Sequence, residues 1–300
     1  RDSTKETLQK TVQIVNALAV LPKSVLSSIY EQVAHQGKNP RSTPREQVVR
    51  KLYLDSLPLC GSNEAALFIK QLIEQDKVTI IEARELVEAV PQNLYMPDVA
   101  TIDAYLDLFQ NSKVQSRRHL AASCGIAFGK LVKQAYVKRQ NERSIKKSQQ
   151  QEQFEQHQRI RVEDSIPLNL NGISNRIKRS WESKQHIIED SDVQKYVQTA
   201  ARLLEQARTF NQKVTLVETL AHMGVPQALK VLAPYATGSI SEDKLPGFTV
   251  EKSHQKDEER NFVRQVTLFA LAHIAIQYPE HVLPIVLPVY TNPNEPYEVR

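Results

Sequence analysis

The sequence contains little of several residue types on which common protein classes depend. Its 300 residues include 8 glycines, 2 cysteines and 1 tryptophan, and only 6% of them are aromatic. Turns and strands draw heavily on glycine and aromatic side chains, so the composition favours helices over sheets. Two cysteines are too few for a cysteine-ligated metal cluster, and Cys60 and Cys124 lie too far apart along the chain for a C-x-x-C redox motif. We therefore expect a helical protein without a cysteine-based metal or redox centre.

The sequence also lacks a long apolar run. No run approaches the roughly 18 residues that a membrane-spanning helix needs, and the N-terminal stretch RDSTKETLQK contains no apolar segment of a secretory signal peptide. The second absence excludes little if the sequence is an internal fragment. With 41% hydrophobic and 24% charged residues, the composition is that of a folded globular protein rather than a disordered one.

The net charge is +5, but the basic excess is unevenly distributed. It lies mainly in the polar stretch 137–161, VKRQNERSIKKSQQQEQFEQHQRIR, and in NRIKRSWESK shortly after it. Basic tracts of low complexity are usually solvated linkers rather than binding surfaces. We therefore predict no nucleic-acid partner, although a nucleic-acid-binding helical array stays as a weaker alternative.

What the sequence does contain is a regular succession of helix-start signals, roughly one every 15 to 20 residues. Thr43 and Glu46 form a capping box around Pro44, and Thr79 and Glu82 form another. The apolar residues in between recur every three or four positions, which is the spacing of a helix face. The same reasoning places helix ends at Pro58 and Pro91 and helix starts at Ser62 or Asn63 and at Ser112.

The helices come in pairs of about 35 to 40 residues, each with one apolar stripe that it cannot bury alone. Stacked pairs of this length form an α-solenoid, so the predicted fold class is all-α. Residues 1–137 are predicted as its first part, and 193–300 as its continuation, with a smaller loop at about 237–258. Residues 138–192 are predicted as a polar, basic, glutamine-rich insertion without order. The final residues, EPYEVR, have the composition of a helix start, so we expect the array to continue and the sequence to be truncated there.

Motifs of catalysis are missing from the sequence. It contains no H-E-x-x-H, Walker, G-x-G-x-x-G, G-x-S-x-G or EF-hand pattern, so we expect no enzyme activity and no cofactor in this fragment. His222 and His273 lie within apolar helices, where a hydrogen-bonded core histidine is more common than a ligand or a base. Gly125 and Gly129 form a small-x-x-x-small pair, which is expected to let a neighbouring helix approach closely.

Two local features leave alternatives open. Cys60 and Cys124 could form one disulfide, worth roughly 4 kcal/mol in an oxidising compartment, or could be two buried free thiols. The stretch RIKR, with Arg176, Lys178 and Arg179, resembles the Arg-x-Lys-Arg site of secretory subtilisin-like processing enzymes. It lies in the predicted insertion, where a protease could reach it, but a chance basic cluster would look the same.

Three stretches resemble one protein family. They are LPLCGSNEAALFIKQLIEQDKVTIIEARELVEAVPQNLYMP, HMGVPQALKVLAPY and FVRQVTLFALAHIAIQYPEHVLPIVLPVYTNPNEPYEVR, of which the last is the most specific. Together they resemble the helical domain of large lipid transfer proteins, and vitellogenins are the most similar members. Apolipophorins and microsomal triglyceride transfer protein share this domain and stay as alternatives.

The resemblance implies both a fold and a function. The helical domain of this family is a right-handed, two-layered α-superhelix that wraps the lipid-carrying β-sheets of the same polypeptide. The whole protein would be a secreted egg-yolk precursor, from an insect or other arthropod, that carries phospholipid and neutral lipid and serves as a nutrient reservoir. It would pass from the haemolymph into oocyte yolk through an endocytic receptor, and could form a homodimer. Convertase cleavage is common among insect vitellogenins, which favours processing at Arg176, Lys178 and Arg179.

A rival interpretation follows from the residues alone. A cytosolic HEAT- or armadillo-like scaffold that binds peptides in its concave groove would show the same helix pairs. Such a protein is expected to keep Cys60 and Cys124 as free thiols and to carry polar and aromatic ladders on its concave face. A thiol count separates the two interpretations only weakly, because free thiols weaken the lipid-transport interpretation without excluding it.

Overall fold

The computed structural model of the chain describes residues 2–39, 41–155, 188–239 and 253–300. Within these ranges the regular structure is helical and no strand occurs, which confirms the predicted all-α class. None of the described helices is long and apolar enough to cross a membrane. The α-helices, in chain order, are α1 (Asp2–Ala19), α2 (Lys23–Ile29), α3 (Pro44–Leu59), α4 (Asn63–Glu74), α5 (Ile80–Asn93), α6 (Val99–Gln110), α7 (Ser112–Gln115), α8 (Arg118–Glu155), α9 (Asp190–Gln206), α10 (Phe210–Met223), α11 (Leu229–Thr237), α12 (Ser253–Ala275) and α13 (Pro279–Thr291).

Local signals start several helices where the sequence predicts them. The Thr43 side chain accepts a hydrogen bond from the Glu46 N–H at 3.3 Å, and the Glu46 carboxylate accepts one from the Thr43 N–H at 2.7 Å. The same reciprocal box, between Thr79 and Glu82, starts α5, and Ser62 caps α4. Each box satisfies backbone donors that the first helical turn would otherwise leave without a partner.

Other helix ends differ from the prediction. Pro58 and Pro91 lie inside the last turns of α3 and α5, which end one and two residues later. A proline removes only the hydrogen bond of its own missing N–H, so a helix can continue for one or two residues beyond it before it ends. The start predicted at Ser112 is also displaced, because the Asn111 side chain caps the short α7 by accepting from the Lys113 N–H at 2.9 Å.

The longest helix differs most from the prediction. α8 continues to Glu155, whereas order was expected to end near Lys138. Residues 138–155 consist mainly of Lys, Arg, Gln, Glu and Ser, and the first four have high helix propensity, so a helix can extend there without an apolar face. The rest of the predicted insertion, up to residue 187, lies outside the described residues. Beyond the two insertions, the helices resume at Asp190 and Ser253, a few residues earlier than expected.

The chain divides into two compact units, residues 1–108 with 134–188 and residues 109–133 with 189–300, as far as they are described. In the first unit α3 packs against α1 and α5, while α2 packs against α4. In the second unit α10 packs against α12, while α11 packs against α13. Within each unit, helices two places apart along the chain therefore share a layer, which is the two-layered pairing that the resemblance implies.

A buried arginine holds the first unit together. The Arg50 side chain on α3 is only 4% exposed and donates two hydrogen bonds of 3.0 Å to the Glu82 carboxylate on α5. It also donates to the Tyr30 hydroxyl at 2.8 Å and to the carbonyls of Ala34 at 3.3 Å and Lys77 at 3.1 Å. The Tyr30 hydroxyl donates to the same Lys77 carbonyl at 2.8 Å. All five N–H groups of the guanidinium are thus satisfied, as a buried charge requires.

The final residues form a hydrogen-bonded turn. The Val299 N–H donates to the Pro296 carbonyl at 2.9 Å, and the Arg300 N–H donates to the same oxygen at 3.2 Å. The second bond has the spacing of four residues found in an α-helix. The segment predicted as a helix start therefore forms one turn with helical spacing.

Candidate interaction surface

α12 and α13 form a packed pair in the second unit. α12 buries Val263, Leu271 and Ile274, and α13 buries Val282 and Val289. α13 contains two internal prolines, which each remove a helical hydrogen bond. Because that loss weakens the isolated helix, its stability must come largely from packing against α11 and α12.

An ion pair fixes the segment after α13 onto α12. The Arg264 side chain, 8% exposed, lies 2.7 Å from the Glu295 carboxylate and donates to the Ala236 carbonyl at 3.3 Å. The bond from Arg264 keeps the pKa of Glu295 below its ordinary value. The Gln265 side chain also donates to the Glu298 carbonyl. These contacts hold the segment after α13 against α12.

The outer face of α12 carries large exposed apolar side chains. Phe262, Phe269 and Ile276 are 47%, 79% and 78% exposed. They are spaced seven residues apart, which is nearly two helical turns, so they lie along one face of α12 and its C-terminal end. Phe262 is partly covered by Phe210, whose ring centroid lies 5.3 Å away. Phe269 and Ile276 are the more accessible part of this row.

A second apolar row runs along α13. Leu283, Leu287 and Tyr290 are 58%, 56% and 66% exposed, and their spacing of four and three residues places them on one face. After Glu280 and His281 in its first turn, α13 contains no residue that is charged at neutral pH. This helix therefore presents large apolar side chains to solvent without charged residues between them.

We refer to these two rows as the apolar stripes: Phe262, Phe269 and Ile276 with Leu283, Leu287 and Tyr290. Large apolar side chains grouped on the surface of a folded protein mark a site of interaction more often than chance exposure. The sequence contains a signal for the stripes: the apolar positions of α12 cover more than the single stripe that one buried face needs.

A cleft of about 420 Å³ between α3 and α5 is a weaker candidate. Leu54, Pro58 and Leu86 line it, with Arg50 and Glu82 at its wall. The donors of Arg50 are occupied by Glu82 and its other partners, so this buried pair is not available to a ligand. We assign this pair to stability rather than to binding.

In this structure Cys60 and Cys124 are both free and buried thiols, and the disulfide stays a prediction. Cys60 belongs to the first unit and Cys124 to the second. The Cys60 sulfur lies 3.2 Å from the Ser56 carbonyl of its own helix. Burial raises the pKa of both thiols to about 12, so neither readily forms the thiolate that disulfide exchange requires.

We therefore expect the native chain to resist a thiol reagent. At pH 8 the native protein should release no colour from an aromatic disulfide reagent within minutes, because both sulfurs are buried and protonated. After denaturation without a reductant, both thiols should react. A denatured protein that reacts only after reduction would establish the disulfide instead.

The glycine pair on α8 lies against α10. A Cβ atom on Gly125 would lie 2.5 Å from the Thr219 hydroxyl oxygen and 3.0 Å from the Phe109 ring. A Cβ atom on Gly129 would lie 2.5 Å from the Thr219 carbonyl oxygen and 3.1 Å from the His222 Cβ. Only a residue without a side chain permits this approach of α8 to α10.

The candidate processing site, Arg176, Lys178 and Arg179, lies outside the described residues and stays a prediction. Of the predicted insertion, residues 138–192, the structure describes only the two ends, 138–155 and 188–192.

Comparison with known proteins gives consistent findings. A family model described as the vitellogenin TPR domain matches residues 1–300. Vitellogenin from Anthonomus grandis is 23% identical over 135 residues, and Vitellogenin-A2 from Xenopus laevis is 27% identical over 124 residues. A solved structure that describes lipid–protein interactions in lipovitellin aligns with 97% of this chain at a TM-score of 0.61 and 19% identity. The last likeness confirms the all-α superhelical fold.

The matched regions are a small part of each relative. They cover 45% and 41% of this chain but only 7% and 6% of the two vitellogenins. The aligned region is 23% of the lipovitellin chain. The matched regions thus span less than a tenth of the length of these sequence relatives, and the alignment spans about a quarter of the solved structure.

Proposed function

The chain belongs to the family of vitellogenin TPR domains, and we propose that it is the helical domain of a secreted egg-yolk protein that transports lipid and stores nutrient. The match of the family model to residues 1–300 is the observation that carries this proposal. The two-layered packing of helices within each unit supports a scaffold role. In this role the domain is not an enzyme, and lipid is bound by the longer polypeptide.

The apolar stripes support a more specific role for α12 and α13, which is contact with the lipid-carrying β-sheets of the same polypeptide. Covering Phe269 and Ile276 removes apolar area from water, which is favourable by about 25 cal/mol per Å². The part of α13 after His281 carries no charge, so an apolar partner covers it without the penalty of burying one. The domain would thereby hold the sheets, and the sheets would hold the lipid.

The rival interpretations receive less support. The relatives are vitellogenins and lipovitellin, which favours a yolk protein over an apolipophorin or a triglyceride transfer protein. A HEAT- or armadillo-like cytosolic scaffold would account for the helix pairs but not for the family match. Since relatives from Anthonomus grandis and Xenopus laevis match at similar identity, the arthropod origin stays a prediction, as do the oocyte receptor and the homodimer.

The proposal is tested by placing charges on the stripes. In the full-length polypeptide, expressed in a secretory cell line, Phe269→Glu combined with Ile276→Glu is expected to reduce the lipid bound per mole of secreted protein at least threefold. Each substitution would bury a carboxylate against an apolar sheet surface, which is strongly unfavourable without a partner for the charge. Lipid phosphorus and triglyceride in the purified protein, together with the secreted fraction, are the measurements.

The matched control places the same charges elsewhere. Val48 and Ile81 in the first unit are 66% and 70% exposed, so Val48→Glu combined with Ile81→Glu tests the effect of two surface carboxylates alone. This control should secrete and load lipid as the unchanged protein does. Normal lipid content in the Phe269 and Ile276 variant would refute the assigned contact. Absence of lipid from the unchanged protein would refute the transport function itself.

A further inference from the structure

Two histidines that are distant in sequence meet in the second unit. The ring centroids of His222 on α10 and His273 on α12 are 4.4 Å apart, with their planes inclined by 40°. His222 is half-buried, and His273 lies at the exposed edge of the same contact. Two imidazoles can stack in this way when both are neutral, but they repel each other when both carry a proton.

α8 brings two lysines to the same place. The close approach at Gly129, where a Cβ atom would lie 3.1 Å from the His222 Cβ, draws this face of α8 onto α10. The Lys133 side chain then crosses Gly224, the left-handed residue that ends α10, so closely that a Cβ there would lie 2.7 Å from the Lys133 Cδ. The Lys133 ammonium reaches to 3.5 Å from the His273 carbonyl oxygen. The Lys133 side chain is thus held between Gly224 and the backbone of His273.

The charges that act on the two rings are all positive. Burial, followed by the charges of His273, Lys130 and Lys133, lowers the pKa of His222 to about 4. Burial and the same two lysines also lower the pKa of His273. Glu218, one turn before His222 on α10, is itself half-buried, and desolvation raises its pKa. No carboxylate is among the groups that act on either imidazole in the described residues.

The other charged residues on the helices packed around the pair do not shift the pKa of either histidine. They are Asp190, Asp192, Lys195, Arg202 and Glu205 on α9, Lys213 on α10, Lys230 on α11, Glu258, Glu259, Arg260 and Arg264 on α12, and Glu280 and His281 on α13.

We propose that the stacked pair of His222 and His273, with Lys130 and Lys133 beside it, is a pH-sensitive joint that loosens the packing of α10 against α8 and α12 on acidification. Protonation places one or two further positive charges into a contact that already holds two. No carboxylate in the described part of the chain is among the groups that act on either imidazole, and Glu218 is itself desolvated with a raised pKa. The favourable response is therefore separation of the helices, which exposes the rings to water.

The direction of the pH dependence follows from proton linkage. A histidine whose pKa is lower in the packed state takes up a proton on opening, so the packed state is favoured above the ordinary histidine pKa of about 6.5. Stability of the contact is lost as the pH falls from about 6.5 towards 4, where His222 is also protonated in the packed state. For one proton, the opening constant rises about tenfold per pH unit within this window.

Hydrogen exchange of the whole 300-residue chain tests the proposal. Exchange rates, corrected for the intrinsic effect of pH, are compared at pH 7 and pH 5 for peptides from α10 and from residues 265–275. In the unchanged chain the opening constant of these peptides is expected to rise at least about tenfold. In the double variant His222→Gln with His273→Gln, the rise should fall to less than about twofold. His119→Gln, at an exposed histidine on α8, should behave as the unchanged chain does.

Two results would overturn the joint. One is protection of α10 that does not change between pH 7 and pH 5 in the unchanged chain. The other is a loss of protection between pH 7 and pH 5 in the double variant that equals the loss in the unchanged chain. If the double variant does not fold, NMR titration of the imidazole ring signals in the unchanged chain decides, because a His222 ring that is protonated at pH 5.5 or above contradicts the proposal.

Discussion

Arg50→Ala is expected to lower the free energy of unfolding by about 3–5 kcal/mol. The substitution removes a buried cation but leaves Glu82, which retains 27% side-chain exposure, as a carboxylate with little to balance it. It also removes the donor of the Ala34 carbonyl and the Arg50 bond to the Tyr30 hydroxyl, and it leaves the Lys77 carbonyl with the bond from Tyr30 alone. Each buried polar group left without a partner costs about 1–3 kcal/mol. Urea unfolding followed by circular dichroism measures the loss.

The same helix supplies the control for this prediction. Lys51 forms a 3.3 Å ion pair with Asp55, but its side chain is 72% exposed. Lys51→Ala should therefore change the free energy of unfolding by no more than about 0.5 kcal/mol. Equal losses for Arg50→Ala and Lys51→Ala would mean that the buried network contributes nothing beyond an ordinary surface charge.

The pH dependence of a third variant, Glu82→Gln, tests whether Glu82 is the partner that stabilises Arg50. Burial alone would raise the pKa of Glu82, but the bonds from Arg50 and from the Thr79 N–H more than offset it and leave that pKa below its ordinary value. The carboxylate therefore contributes stability above its unfolded-state pKa, and this contribution is lost as the pH falls through the lower folded-state value. The difference in stability between the unchanged chain and Glu82→Gln should accordingly shrink below about pH 4.

Gly129→Ala is expected to destabilise the second unit by about 1–2 kcal/mol, and Gly129→Leu by more. In most helices the exchange of glycine for alanine is favourable by about 1 kcal/mol, so the expected sign is itself diagnostic. The added Cβ would lie 2.5 Å from the Thr219 carbonyl oxygen, and a backbone oxygen cannot rotate away. α8 and α10 must therefore move apart at this point, which loosens the packing of their buried side chains against each other.

A comparison with Gly125 separates this mechanism from general sensitivity of α8. A Cβ on Gly125 meets the hydroxyl oxygen of Thr219, which Thr219→Ala removes, whereas a Cβ on Gly129 meets the carbonyl, which it does not. In double-mutant cycles, Thr219→Ala should recover at least about 0.5 kcal/mol of the loss caused by Gly125→Ala and none of that caused by Gly129→Ala. Equal recovery in both cycles, or stabilisation by Gly129→Ala, would contradict the observed contact.

The features that the sequence predicted well are those with local causes. The boxes of Thr43 with Glu46 and of Thr79 with Glu82 need only residues three positions apart, so they can be identified without any knowledge of the fold. The ends at Pro58 and Pro91 were misplaced because a proline interrupts one hydrogen bond and the neighbouring bonds of the same turn persist. The extension of α8 to Glu155 does not follow from apolar periodicity, because residues of high helix propensity form a helix there without an apolar face.

The features that the sequence did not predict depend on distant partners. Arg50 lies 32 residues from Glu82 and 20 from Tyr30, and no periodicity joins them. His222 and His273 were each expected to be core histidines, but only the packing of α10 on α12 brings one ring against the other. The apolar stripes were hidden for a related reason, because a pattern of apolar residues does not say which of two faces of α12 a neighbour covers.

The contact of Gly125 and Gly129 with Thr219 also has a consequence for synthesis. The two sides of this contact are separated by roughly 90 residues, and chains grow at about 5–20 residues per second. About 5–20 s therefore pass between the emergence of this face of α8 from the ribosome and that of its partner α10. During the first part of this interval, until Tyr196 has emerged, Phe128, which is fully buried in the finished protein, has no Tyr196 ring to pack against. The second unit should therefore be the part of the nascent chain that depends most on chaperones, and slowing translation within residues 134–218 should increase chaperone binding to residues 118–133.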